Sequence, residues 1–267
     1  VPAIGCTEPI AVALCVAKAT ETLGAKPEKI DVLLSANILK NAMGVGIPGT
    51  GMIGLPIAIA LGALIGKSEY QLEVLKDCNP AAVEEGKRFI GEKRIDISLK
   101  KNITEKLYIE VCCKSGGNKA TAIIAGGHTT FIYIARNGDV LLNKQSAGCG
   151  EEEAQVAGLT LRKVYDFAMN APLDEIRFIL ETARLNKAAA ERSFDGNYGH
   201  GLGRMLRGNY EHKILGDSVF SHILSYTSGA CDARMAGAMI PVMSNSGSGN
   251  QGISATLPVL VLSLIHI

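Results

Sequence analysis

Tryptophan is absent from this chain of 267 residues, and aromatic residues make up only 5% of it. Proteins that stack nucleic-acid bases need aromatic platforms, so that class is disfavoured. An excess of one charge is missing too. The 27 basic side chains balance 26 acidic ones, for a net charge of +1, which argues against nucleic acid or an anionic membrane surface as partner. There is no C-x-x-C pair. The seven cysteines are Cys6, Cys15, Cys78, Cys112, Cys113, Cys149 and Cys231. Their odd number and scattered spacing speak against a disulfide framework and for a reducing, cytoplasmic setting. No apolar run is long enough for a membrane span, since residues 51–65 are short and broken by Gly and Pro. The apolar start carries Glu8 and Pro9 and no basic stretch, so no signal peptide is expected.

What is present is small and apolar. Hydrophobic residues make up 47% and glycines number 30, enough core for one large domain or two smaller ones. "TEPIAVALCVAKATETLG" (7–24) reads as a helix with Thr7 as N-cap, Pro9 in the first turn and Gly24 as its end. "IDVLLS" (30–35) reads as a strand. "GVGIPGTGMIGLP" (44–56) reads as a loop that leads into an apolar helix ending near Gly66. Two further helices are expected near 69–77 and 80–91. Residues 94–100, 106–114, 119–126 and 129–135 are β-branched and partly alternating, with "SGGN" and "RNGD" as hairpin turns. Helical spacing returns at 151–169, 174–192, around 200–207 and at 217–239. The fold class read from this is α+β: a mainly helical body (1–92 and 146–267) with an inserted small antiparallel β-sheet (93–145).

Several stretches carry candidate chemistry. "GCTEP" (5–9) sets Cys6 at a helix start, where unpaired amides and the helix dipole favour a thiolate. Such a thiolate serves as nucleophile, base or metal ligand; a buried, inert thiol is the alternative. Glu8 beside it is an acid or base, or simply a favourable first-turn charge. "SANILKNAMGVGIPGTG" (35–51) holds a literal G-x-G-x-x-G. It does not directly follow a strand, and Pro48 breaks the turn, so a dinucleotide site is rejected. Lys40, Asn41 and Thr50 there could hold a small anion, although Lys40 alone reads as solvated. His128 in "GGHTT" is a proton carrier, a substrate contact, or a turn histidine satisfied by backbone. Arg204 could clamp a carboxylate or lie in a flexible loop. "SGACDARMAG" (228–237) reads as a close-packed helix contact. Cys112 and Cys113 point to opposite faces of a strand and read as structural. "SNSGSGNQG" (244–252) opens directly into an apolar helix. Its amides, with Ser246, Ser248, Asn250 and Gln251, form a cradle suited to a substrate carboxylate.

Together, "GCTEPIAVA", "SANILKNAMGVGIPGTG", "DARMAG" and "SGSGNQGISATLPV" resemble the L-cysteine desulfidase family, which is related to the catalytic α part of iron–sulfur L-serine dehydratases. The resemblance runs from Gly5 to about Val259 and implies a lyase without pyridoxal phosphate. L-cysteine would lose sulfide by β-elimination, and the aminoacrylate would hydrolyse to pyruvate and ammonia. A [4Fe-4S] cluster with one open iron would act as Lewis acid on the leaving group. Cys6 would be the base, with Glu8 and Lys40 as further catalytic candidates. Asn41, Thr50, His128 and the 246–251 loop would bind a small amino acid. The alternatives are L-serine deamination by the same machinery and a non-catalytic amino-acid-binding module. The family's cluster cysteines belong to a C-terminal part, in motifs of the "CGC" and "CDGAK" type that do not occur here. The chain is therefore expected to be an N-terminal fragment that by itself neither binds the cluster nor turns over. Exposed apolar surface is expected where the remainder would pack. A homodimer is the assembly left open; no nucleic acid or membrane partner is expected.

Overall fold

The computed structural model describes residues 2–144, 158–207, 216–245 and 248–266. The first helix explains much of the architecture. After a short strand, β1 (Pro2–Ile4), comes α1 (Thr7–Leu23), whose Ala- and Val-rich sequence is buried almost all round. A helix apolar on every side belongs inside a core. Here α1 lies between the sheet strands behind it and a second apolar helix. Cys6, not Thr7, is the N-cap; its backbone is extended and its side chain makes no capping bond. Gly24 closes the helix in the left-handed region, and its N–H bonds Thr20 O at 3.0 Å.

β2 (Lys29–Leu34) follows, and then α2 (Ala36–Ala42), a helix not expected from the sequence. Ser35 caps it by accepting from the Ile38 N–H. The glycine-rich loop then leads into α3 (Leu55–Leu64), packed on α1. A 3₁₀ segment (Ser68–Glu73) and α4 (Pro80–Gly91) complete this part; Asn79 caps α4 through the Ala82 N–H at 3.0 Å.

The sheet is built from β2, β3 (Ile95–Leu99), β4 (Tyr108–Ser115), β5 (Asn118–Ala125), β6 (Phe131–Arg136) and β7 (Asp139–Asn143), in the order β3-β2-β4-β5-β6-β7. Residues 93–145 thus supply all strands but one, and β2 enters from outside that segment. The sheet is mixed, because β2 and β3 run parallel while every other pairing is antiparallel. The "SGGN" and "RNGD" turns are hairpins, with Gly116, Gly117, Asn137 and Gly138 all at positive φ. α1 packs across β4 and β5.

The later helices are α5 (Leu161–Asn170), α6 (Leu173–Ile176), α7 (Ile179–Asp195), α8 (Leu202–Arg207), α9 (Val219–Met235) and α10 (Gly249–His266). The helix expected at 174–192 is divided between α6 and α7. Arg204 donates to Gly196 O at 3.0 Å and so holds the loop before α8. β8 (Pro241–Met243) pairs antiparallel with β1, Ala3 opposite Val242. This short pairing brings the start of α1 beside the start of α10. A second seam lies at the end of α9, where Gly46 N–H donates to Met235 O (3.0 Å) and Gly49 N–H to Gly237 O (3.2 Å). The glycine-rich loop is thus a packing element. Among the described residues, no helix is long and apolar enough to cross a membrane.

Candidate active site

β1–β8 pairing and the α9 seam together enclose a cleft of about 240 Å³. Cys6, Thr7 and Glu8 line it from the start of α1, Asn41 from α2, Arg234 and Met235 from the end of α9, and Ser248 and Asn250 from the start of α10. Gly5 aims α1 into the cleft. Its φ of +79° favours glycine, and a Cβ there would meet Pro48 Cγ at 2.4 Å.

Glu8 is the hub. Its Oε2 accepts from the Cys6 thiol at 3.0 Å and from the Thr7 hydroxyl at 3.1 Å. Its Oε1 accepts from Asn41 Nδ2 at 3.4 Å. Burial pushes the Glu8 carboxyl up, but the bonds from Cys6, its own N–H and Thr7 outweigh it and hold the group below the usual carboxylate range. Cys6 shifts the opposite way. Burial, the Glu8 charge and the bond to Glu8 push its thiol up to about 12, and the positive charge of Arg234 offsets only part of this. The thiolate expected from the helix start is therefore not the resting form: the thiol is 6% exposed and gives its proton to a carboxylate bond. Helix-end stabilisation is modest, and desolvation with a neighbouring anion exceeds it.

The other expected residues separate into two groups. Asn41, Ser248 and Asn250 meet Cys6 and Glu8 at the cleft. His128, on the turn between β5 and β6, is half-buried and close enough for the Glu8 charge to act on it. Burial nonetheless pulls its pKa down, which favours the neutral ring. Lys40 is exposed and does not line the cleft. The Thr50 hydroxyl donates to Ile47 O at 2.7 Å and accepts from the Met52 N–H at 2.9 Å, so it braces its own turn. Gln251 is exposed, and its N–H bonds Ser248 Oγ at 3.3 Å, as in an N-cap. Ser246 and Cys149 lie outside the described residues.

Arg234 is the residue that sequence reasoning passed over as packing. It is 4% exposed, and its Nη1 donates to Asn250 Oδ1 at 2.9 Å. Asp232, two residues away, turns elsewhere and accepts from the Leu202 N–H at 3.0 Å. One available signal was an arginine within a run of otherwise small residues, "GACDARMAG", where a charge has few local partners.

Among the described residues the cysteines do not gather at one place. Cys15 and Cys113 are buried in the main core, Cys6 is at the cleft, and Cys78, Cys112 and Cys231 are half-buried elsewhere. Among the described residues, no three Cys, His, Asp or Glu side chains gather as metal ligands.

The family model described as "Serine dehydratase alpha chain" matches residues 69–266. The chain belongs to this family. As a member of the serine dehydratase alpha chain family it is related to lyases, and the match includes Arg234, Ser248 and Asn250 but not Cys6 or Glu8. A protein of Bacteroides fragilis named "UPF0597 protein" is 82% identical over 261 residues, covering 98% of this chain and 61% of the relative. Namesakes in Parabacteroides distasonis and Chromobacterium violaceum are 60% and 46% identical, again across 61% of their own length. The chain thus spans about three-fifths of the length of these relatives. No solved structure matches it.

Proposed function

We propose that the cleft is the proton-handling part of a β-eliminating lyase that releases sulfide from L-cysteine, leaving pyruvate and ammonia. One observation supports this reading above the others: a thiol–carboxylate pair, Cys6 and Glu8, stands in a cleft just large enough for a small metabolite, opposite polar groups from the far end of the chain. Elimination needs the α-proton removed and the leaving group expelled. Cys6 takes the α-proton on Sγ as its own proton passes to Glu8, so Glu8 is the terminal proton acceptor and no free thiolate has to form first. Loss of the Cβ–S bond gives hydrosulfide, and the electron pair of the Cα–H bond becomes the double bond of aminoacrylate. Water then hydrolyses the imine tautomer to pyruvate and ammonia. Asn41 steadies Glu8, and Ser248 and Asn250 face the substrate. The iron–sulfur cluster remains an expectation from the resemblance, and none of these steps uses it.

L-serine is the second reading, because the matching family is described by that substrate. The test incubates this chain and the 82%-identical Bacteroides fragilis relative anaerobically with L-cysteine or L-serine. Equal sulfide and pyruvate from L-cysteine, lost in the Cys6→Ala variant, supports the desulfidase reading. Pyruvate from L-serine alone replaces the substrate. Binding of either amino acid by the relative with no product overturns the lyase reading in favour of a binding module.

A further inference from the structure

The guanidinium of Arg234 is nine-tenths buried at the cleft wall, and its Nε has no hydrogen-bond partner. An unsatisfied donor on a buried cation is costly. No carboxylate pairs with Arg234 among the described residues. Among the described residues its oxygen partner is the side-chain amide of Asn250, which orients the group without neutralising it. The position is also built. A Cβ on Gly249 would stand 2.3 Å from Nε, so only glycine at the first residue of α10 lets the guanidinium lie against that helix start. The start of α10 stands at the same wall, with Ser248 and Asn250 lining the cleft beside the guanidinium. Opposite stands Glu8, held as a carboxylate by its hydrogen bonds. The cleft therefore carries a positive wall and a negative wall, with the Cys6 thiol within the field of both.

We propose that Arg234 is the carboxylate-binding residue of this cleft and that the cleft takes a small α-amino acid as its zwitterion, carboxylate on Arg234 and ammonium toward Glu8. This deepens the proposed lyase reading and rests on it for the identity of the ligand. An arginine offers a carboxylate two parallel N–H donors, and the buried setting strengthens that pair. A zwitterion held between the two walls has its Cα between its own charged ends, on the side where Cys6 lies. Arg234 thereby decides that the ligand has a carboxylate, while Cys6 and Glu8 act on the carbon beside it.

The test is titration of the chain, with its arginine Nε–H resonances observed by ¹⁵N-edited NMR and affinities taken by calorimetry. The probes are L-cysteine, L-serine, L-serinamide and pyruvate. The Arg234 signal is identified by its loss in Arg234→Lys, whose fold is checked by its melting temperature. That signal is expected to move with L-cysteine or L-serine but not with L-serinamide. The acid is expected to bind about tenfold more tightly than the amide, and Arg234→Lys to remove that preference. Gly249→Ala keeps both charges but displaces the guanidinium, so it should weaken acid binding in the same direction. Unchanged acid-over-amide preference in a folded Arg234→Lys protein, or an Arg234 signal unmoved by every carboxylate, overturns the proposal. If pyruvate moves the signal and neither amino acid does, Arg234 keeps its carboxylate role and the amino-acid reading fails.

Discussion

The two ends of this chain are packed very differently. From Ala3 to Ile124 one continuous cluster of buried apolar side chains runs through α1, α3 and the sheet. The later helices share a much smaller cluster, Ala189, Ala190, Ala230, Val242, Ile253 and Leu257. They also leave large apolar side chains in the open, among them Leu161 at 87%, Leu173 at 79% and Val259 at 67% exposure. The cleft takes residues from both regions: Cys6, Glu8 and Asn41 stand on the densely packed one, Arg234, Ser248 and Asn250 on the sparsely packed one. A site of this kind has one rigid wall and one that depends on a few specific contacts. Asn186 is such a contact. Fully buried, it accepts from the Met243 N–H at 2.9 Å and donates to Thr256 Oγ1 at 2.8 Å, so it joins α7, β8 and α10.

The contrast can be broken by mutation. Leu61→Ala, in the dense region, should cost about 2–5 kcal/mol in denaturant unfolding; a cost near zero would mean that α3 is not part of a tight core. Asn186→Ala leaves the Met243 N–H without its partner and should cost about 1–3 kcal/mol. Hydrogen exchange should quicken in α10 and β8 in that variant while α1 keeps its protection; equal loosening of both would contradict the division.

Titration sharpens the contrast at the cleft. Glu8 has a lowered folded pKa, so its stabilisation is present above the carboxylate reference of 4.5 and lost as pH falls through the folded value. Glu8→Gln should flatten this acid-side loss in melting temperature. Cys6 has a raised folded pKa, so its contribution is present below 9.0 and lost as pH rises toward about 12. Cys6→Ala should reduce that alkaline loss, but not abolish it, because burial also raises the Cys15 and Cys113 thiols. Glu8→Gln should also speed alkylation of Cys6 near pH 8, since burial still holds the thiol pKa up but the neighbouring anion that raises it further is gone. The smallest effect belongs to Leu161→Ala, expected within about 0.5 kcal/mol of wild type because the side chain is already exposed.

Much of this was legible in the residues. The Ala/Val period and Gly24 marked α1, the alternating segments marked the sheet, and the switch from "SNSGSGNQG" to an apolar run marked α10. β2 joining β3 in parallel was not legible, since pairing between strands more than fifty residues apart leaves no local trace. The three-residue strands β1 and β8 are too short to show a period, yet their pairing assembles the cleft. In the candidate site, Cys6, Glu8, Asn41, Ser248 and Asn250 stood out through motif chemistry. Arg234 did not, because its significance lies in burial without a carboxylate partner, a property of the fold. The protonation of Cys6 was misread for the same reason: the helix start is visible in the sequence, the desolvation is not.

The most direct test of the central claim, that Cys6 and Glu8 exchange the α-proton of an amino acid, is deuterium incorporation at Cα. Protein of the relatives' full length would be incubated with L-cysteine or L-serine in D₂O, and the recovered amino acid and pyruvate analysed by mass spectrometry. The account predicts deuterium at Cα of recovered amino acid, lost in Cys6→Ala and strongly reduced in Glu8→Gln, with pyruvate serving only as the measure of turnover. Incorporation that persists undiminished in Cys6→Ala would contradict it and place the base elsewhere.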